Sequence, residues 1–356
     1  MKFEKLTVLI AYDSFIPDSL AREVLSNYLK EVTKEIEFIS YEVRPEDTPK
    51  SLPNYLDELT FGSPEDLIKR IKDVDVLIVH KAPVTAEVIN AAKQLKVIGC
   101  ARTGPGNIDI NAATKRCIPV IYALGRNAVA VAEFTVGLIL AATRHISRAE
   151  AWMRAGKWRI GGGAQQQFFM GMELQGKTLG IIGFGQIGRR VASLMKCFGM
   201  NILVHDPFVE KKEIESFGVK SVDKDTLLKE SDIISLHVRI PPNSKPVIGK
   251  KELSLMKKTA YLINTSDGPV VDQKALYEAL KNREIAGAAQ DAGWGEDPVS
   301  PTNPLLELDN FTATPAIGGA SLEVPKRSIQ IIAEDIARFL KGEKPKNIKN
   351  PEVLTK

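Results

Sequence analysis

Gly183-Phe184-Gly185-Gln186-Ile187-Gly188 follows the branched apolar run TLGII directly and opens the helical pattern IGRRVASLMKCFG. The next strand-like run, NILVHD, ends in Asp206, 23 positions after Gly183. A lone G-x-G-x-x-G is weak. A strand before it, a helix after it and an acid in register make a dinucleotide fingerprint. Gly183 permits the tight turn, Gly185 lets the backbone approach a pyrophosphate, and Gly188 allows helix and strand to pack closely. Gln186 and Ile187 begin a helix whose N-terminus offers unpaired N–H groups and partial positive charge to phosphates. Asp206 would accept hydrogen bonds from ribose hydroxyls and repel a 2′-phosphate, which favours NAD over NADP.

Such a unit requires a parallel sheet, and the rest of the chain has the matching rhythm. Thr7–Ala11, Val74–Val79 and Val97–Ile98 are β-like, and helical patterns occupy Ser63–Lys72 and Thr85–Leu95. Ser63-Pro64-Glu65-Asp66 is a helix start with proline at the first helical position. A second series begins near Lys177: TLGIIG, NILVHDP, DIISLHV, AYLINT, EIAGAAQDA and FTATP. At 356 residues the chain is long enough for two domains. The expected fold is α/β, with two doubly wound parallel-sheet domains (Rossmann/flavodoxin-like) and a cleft between them. The boundaries fall at 1–126 plus about 320–356 for one domain and 127–319 for the dinucleotide domain. The helix Asn127–His145 is expected to bridge them, and Gly156–Gly171, with no period, reads as a loop. Leu322–Gly342 places Ile329, Ile332, Ile336, Phe339 and Leu340 near helical spacing, and is expected to return to the first domain.

Composition narrows the function. Hydrophobic residues make up 44% and charged residues 26%, an ordinary globular balance. The net charge of +4 is spread along the chain, whereas a nucleic-acid binder clusters its excess. Three cysteines, Cys100, Cys117 and Cys197, cannot all pair and suit a reducing compartment. The N-terminal apolar run is interrupted by Asp13 and is too short for a secretory or membrane segment. Phe134–Ala142 reads as a buried helix. A cytoplasmic location without nucleic-acid or membrane partners follows. The four histidines, His80, His145, His205 and His237, show no metal-ligand spacing.

The segments ELQGKTLGIIGFGQIGRRVA, SDIISLHV, LMKKTAYLINT, VVDQKALYEALKNREIAGAAQD, NPLLELDNFTATP and IGGASLE resemble the D-isomer-specific 2-hydroxyacid dehydrogenases. TAEVINAAKQLKVIG and NIDINAATKRCIPVIYALGRNAVAVAEFTVGLIL extend the resemblance through nearly the whole chain. It implies a substrate domain beside the NAD domain, a homodimer, and a 2-hydroxy or 2-keto acid substrate. Asn264 and Asp291, at the ends of two strand-like runs, and His237 join the cofactor side. Arg102-Thr103-Gly104-Pro105-Gly106 occupies the place of the family's substrate loop, with Thr103 and Gly104 as backbone donors. Asn127 either supports that loop or caps the following helix.

The family's catalytic pattern is altered. Its substrate arginine, in N-T-x-R-G, corresponds to Asp267 in Asn264-Thr265-Ser266-Asp267-Gly268. Its acid/base histidine, in T-P-H-I-G-G, corresponds to Ala316 in Thr314-Pro315-Ala316-Ile317-Gly318-Gly319. The orienting glutamate corresponds to Glu296, with Asp297 as the alternative. Loss of the acid costs roughly two to four decades in rate. An ionised, inward-facing Asp267 about 4 Å from a substrate carboxylate would repel it by about 4 kcal/mol at an effective dielectric near 20. A neutral keto-sugar would then suit the site better. Possible replacements are Arg239, as a partner of Asp267 or of an anion, and Lys81, as a desolvated acid/base. Against these stand a solvated arginine and an exposed lysine. His80 and His237 sit at strand ends, and His237 better suits the nicotinamide region than proton donation.

Two functions compete: an NAD-dependent oxidoreductase with relocated proton chemistry, and an NAD(H)-binding sensor or scaffold. An isomerase with transiently reduced NAD is compatible but has no residue of its own to support it.

Overall fold

The computed structural model describes residues 2–57, 59–157, 165–241, 244–291 and 303–355. The chain forms two compact units, Met1–Asn127 with Ser321–Lys356, and Ala128–Ala320.

The first unit runs β1 (Phe3–Tyr12), α1 (Asp18–Leu29), β2 (Thr33–Glu42), α2 (Pro64–Arg70), β3 (Val76–Val79), α3 (Ala86–Ala91), β4 (Val97–Cys100), α4 (Ile110–Lys115) and β5 (Val120–Tyr122). Its parallel sheet has the order β2-β1-β3-β4-β5. Strand periodicity divides β1 between two cores. Leu6, Val8 and Ile10 face one side with Val76 and Ile78, while Leu9 and Ala11 face the other with Leu77 and Val79. Both faces are thus apolar, as a parallel sheet covered by helices requires.

The second unit contains α5 (Ala128–Thr143), α6 (Ile146–Arg154), α7 (Gln165–Phe168), β6 (Thr178–Ile182), α8 (Gln186–Cys197), β7 (Asn201–His205), α9 (Lys211–Ser216), β8 (Lys220–Ser221), α10 (Lys224–Glu230), β9 (Ile233–Leu236), α11 (Lys250–Leu255), β10 (Tyr261–Asn264), α12 (Gln273–Lys281), β11 (Gly287–Gln290) and β12 (Phe311–Ala313). These strands form a parallel sheet, β12-β11-β10-β9-β6-β7-β8. The last helix, α13 (Glu323–Leu340), packs against α1, β4 and β5, burying Ile329, Ile332 and Ile336.

Several expectations are refined. The Ser63 hydroxyl caps α2 by accepting the Asp66 N–H at 3.2 Å, with Pro64 in the first helical position. Strand β2 has no counterpart in the sequence reading, because TKEIEFISYE alternates charge and apolarity along a half-exposed sheet edge. Strands β5 and β8 are three and two residues long, too short to read from periodicity. Helix α7 lies inside the segment read as a loop. Helix α5 falls within the second unit, packing against α8 and β10–β12. No single helix among the described residues is long and apolar enough to cross a membrane. The pair α5 and α6 passes such a test only together, across a 65° bend.

Each sheet has one topological switch point. In the first, the chain leaves β1 towards β2 and resumes on the other side with β3. In the second it runs β6-β7-β8 and then resumes beside β6 with β9. In open parallel sheets ligands bind beyond the carboxyl ends of the strands at such points.

Candidate functional site

At the β6/β9 switch point the fingerprint glycines answer three different demands. Gly183 has φ +93, and a Cβ there would stand 2.4 Å from the His237 carbonyl oxygen, so neither conformation nor space admits a side chain. Gly188 lies on α8, where a Cβ would meet the Gly183 oxygen at 2.2 Å. Gly185 caps α8 and a Cβ there would meet nothing within 4 Å. That open space lies at the N-terminus of α8, which Gln186 and Ile187 begin, where free N–H groups and the helix dipole favour a phosphate. The residues present therefore fit a dinucleotide.

Asp206 directly follows β7. Its carboxylate accepts the Phe184 N–H at 2.7 Å and the Phe208 N–H at 2.8 Å, which ties the glycine turn to β7. Carboxylate oxygens retain lone pairs for ribose hydroxyls beyond these two bonds. Arg189, not singled out by the sequence reading, donates to the Phe184 carbonyl at 2.8 Å and pairs with Glu213 at 2.6 Å. Its charge is thereby paired with Glu213.

The other second-unit residues form a braced rim. His237 follows β9, and its Nε2 lies 2.9 Å from the Ser235 hydroxyl. Burial pushes its pKa down to about 3, so the ring is neutral at pH 7 and cannot act as an acid there. Asn264 ends β10 with its oxygen accepting the Ser266 N–H at 2.9 Å. Asp291 follows β11 and holds the turn after β12. Its oxygens accept the Thr314 hydroxyl at 2.6 Å, the Ile317 N–H at 3.0 Å and the Gly318 N–H at 2.6 Å. Within that turn Ala316 has φ +57, a left-handed conformation unusual for alanine. Asp267 precedes the 3₁₀ turn Gly268–Val270 and is exposed. Arg239 is exposed too and does not pair with Asp267; among the described residues it forms no ion pair. Glu296 and Asp297 lie outside the described residues.

The first unit carries its own polar rim beyond the strand ends. At the β1/β3 switch point Asp13 and His80 meet with Oδ2 2.6 Å from Nδ1, both buried. Burial lowers the His80 pKa, against the opposing pull of Asp13. Burial pushes Asp13 the other way, but the His80 hydrogen bond and charge and the Ile16 and Phe15 N–H groups bring it below the usual carboxylate range. Lys81 is half-buried with its ammonium 5.2 Å from the Phe61 ring centroid. Arg102, expected to contact substrate, places its buried guanidinium on Asp57 at 2.7 and 3.1 Å and near the Asn107 oxygen at 3.4 Å. The loop's expected donors are the backbone N–H groups at Thr103 and Gly104. The Thr103 hydroxyl reaches the Asn127 oxygen at 3.4 Å.

The sequence reading did not pair Asp13 with His80, which are 67 positions apart. The available signal was an acid interrupting an apolar run at a strand end. Among the described residues no cluster of histidine, cysteine and acid side chains could hold a metal ion.

Comparison with known proteins gives these arrangements a family. Residues 136–318 match the NAD-binding domain of D-isomer specific 2-hydroxyacid dehydrogenases. A D-3-phosphoglycerate dehydrogenase of Methanocaldococcus jannaschii is 44% identical over 80% of this chain, and the match spans 53% of that protein. The chain thus covers about half the length of that relative. A glyoxylate reductase of Thermococcus litoralis is 38% identical over 94% of this chain and 97% of its own. Among solved structures, the TT0316 protein of Thermus thermophilus superposes with a TM-score of 0.75 at 30% identity, covering 96% of this chain and 99% of that one. The chain belongs to the D-isomer specific 2-hydroxyacid dehydrogenase family, and its second unit carries that family's NAD-binding domain.

Proposed function

We propose that this chain is an NAD-dependent oxidoreductase that interconverts the CH–OH and C=O forms of a small 2-hydroxy acid. The observation that supports it most is the fingerprint in register: Gly183 closed to any side chain, Gly185 open above a helix N-terminus, and Asp206 directly after the next strand. Gly185, Gln186 and Ile187 would hold the pyrophosphate, and Asp206 the adenine ribose. His237, Asn264 and Asp291 would border the nicotinamide. A dinucleotide held there would supply or accept a hydride. The protein's task is to orient the substrate and move one proton.

Alanine at 316 cannot supply that proton. The groups proposed for it are Lys81, which carries no ion pair among the described residues, and Glu296. His80, with Nδ1 held by Asp13, keeps Nε2 for exchange. The exposure of Asp267 changes the electrostatic argument. At the dielectric of water its repulsion of a carboxylate about 4 Å away is only about 1 kcal/mol, so it does not exclude a 2-keto acid. Arg239 is free to meet an anion, while Thr103, Gly104 and Asn127 would shape the substrate loop. A neutral keto-sugar remains the alternative substrate class.

The free thiols, two of them exposed, suit a reducing cytoplasm. Exposed Ile146, Met153, Phe168 and Met170 beside the Trp152–Phe169 ring contact suit a homodimer surface. The test is NADH consumption by the purified protein with a panel of 2-keto acids and neutral keto-sugars. Turnover of a 2-keto acid is the expected result. NADH binding without consumption by any panel member would favour the sensor or scaffold reading, which the alanine at 316 supports.

A further inference from the structure

Arg126 lies in the turn after β5, with its guanidinium carbon 5.3 Å from the centroid of the Phe15 ring. Phe15 in turn stacks on His80 at 5.2 Å, with 18° between the planes. Among the described residues the guanidinium makes one hydrogen bond, from Nη1 to the Ser328 hydroxyl of α13 at 3.2 Å. Its Nε is buried and has no partner among the described residues. Among the described residues no carboxylate pairs with it. Arg102, at the same edge of the same sheet, shows what a compensated arginine looks like there, with Asp57 gripping it twice.

A guanidinium carries five N–H donors, and a charge taken from water without a partner costs several kcal/mol. Burial already pushes the pKa of Arg126 down to about 10. The nearby carboxylates are committed, Asp13 to His80 and Asp57 to Arg102. The turn itself is held, because Arg327 donates to the Arg126 carbonyl at 3.0 Å. What this group lacks is an anion.

We propose that Arg126 is the principal donor of a small-oxyanion subsite in the first unit, with Phe15 as its platform and Ser328 fixing its orientation. The planar fork fits a carboxylate or a phosphate in two-point contact. That the anion is the substrate's carboxylate rests on the function proposed above; the anion site itself does not. Asp267 stands at the position of the family's arginine in this chain, and Arg126 offers a guanidinium that the family's pattern does not count.

The test is titration calorimetry of the full-length protein with oxalate and with inorganic phosphate, each with and without NADH, together with melting temperatures. The variants are Arg126→Met, which keeps the bulk and removes the charge, and Arg126→Lys, which keeps the charge and removes the fork. The wild type should bind oxalate, and Arg126→Met should weaken that binding at least tenfold, with Arg126→Lys intermediate. Without anion, Arg126→Met should melt no lower than wild type, because a half-buried charge with an unpartnered Nε has been removed. Tighter binding of phosphate than of oxalate would support the site and identify a phosphate-bearing ligand. Unchanged oxalate and phosphate affinity in Arg126→Met, or no binding of either by the wild type, would overturn it. So would a lower anion-free melting temperature with unchanged anion affinity, which would make Arg126 structural. Because oxalate is titrated without NADH as well, failure of dinucleotide binding remains distinguishable from failure of this site.

Discussion

Gly183 and Gly185 stand two positions apart, and an added methyl group has opposite consequences at each. Gly183→Ala forces a Cβ 2.4 Å from a backbone oxygen at φ +93, so it should destabilise the fold by about 1–3 kcal/mol. Gly185→Ala meets nothing and its φ of −77 suits any residue, so the melting temperature should hold while NADH affinity falls at least tenfold. Calorimetry of the two variants separates the roles; equal melting losses would remove the distinction. Ala316 is a second informative residue. Its φ of +57 strains alanine but lies where histidine is enriched among non-glycine residues. Ala316→His should therefore be accepted by the backbone, and an acid placed there should raise kcat at least about 100-fold. No gain with a 2-keto acid that turns over would show that proton transfer is not what alanine limits.

Among the elements, the strand ends carry the polar residues of both units' rims and also a pH dependence. His237, beyond β9, is pushed down to about 3 in the fold against about 6.5 in the unfolded chain. Between these values the unfolded chain binds the extra proton. Its contribution is therefore complete above about pH 6.5 and is lost on acidification towards 3, at about 1.4 kcal/mol per pH unit. His80, also lowered chiefly by burial, acts with the same sign, and Asp13 joins below the ordinary carboxylate range. The urea midpoint should fall from pH 7 to pH 5 for the wild type and fall less for His237→Asn; an identical fall in both would contradict the assignment. These strand ends also mark how far the sequence could be read. Strands β6, β7, β9 and β10 were legible because buried parallel strands are continuous apolar runs. Strand β2 was not, because an edge strand mixes charge with apolar residues. The Asp13–His80 contact was invisible for a different reason, since only the strand order β1-β3 brings residues so far apart in sequence together. The ion pair that fixes Arg102 on Asp57 likewise depends on a loop that periodicity does not describe.

For the whole molecule, the family membership places NAD in the second unit, and the residues around Gly185 and Asp206 fit it. Among the described residues Asp206 meets no cation, and Arg189 is engaged with Glu213, so NADPH should bind at least tenfold more weakly than NADH. Equal affinities would remove Asp206 as the selector. The fold class and the fingerprint were readable from residues alone, whereas substrate-side chemistry depended on which charges found partners. The most direct measurement follows the hydride itself. The protein is incubated with NADH deuterated at its transferable position and a 2-keto acid, and the product is analysed by mass spectrometry and NMR. The account predicts deuterium at C2 of a D-2-hydroxy acid. NADH that binds but leaves no deuterium on any 2-keto acid or keto-sugar offered would contradict it.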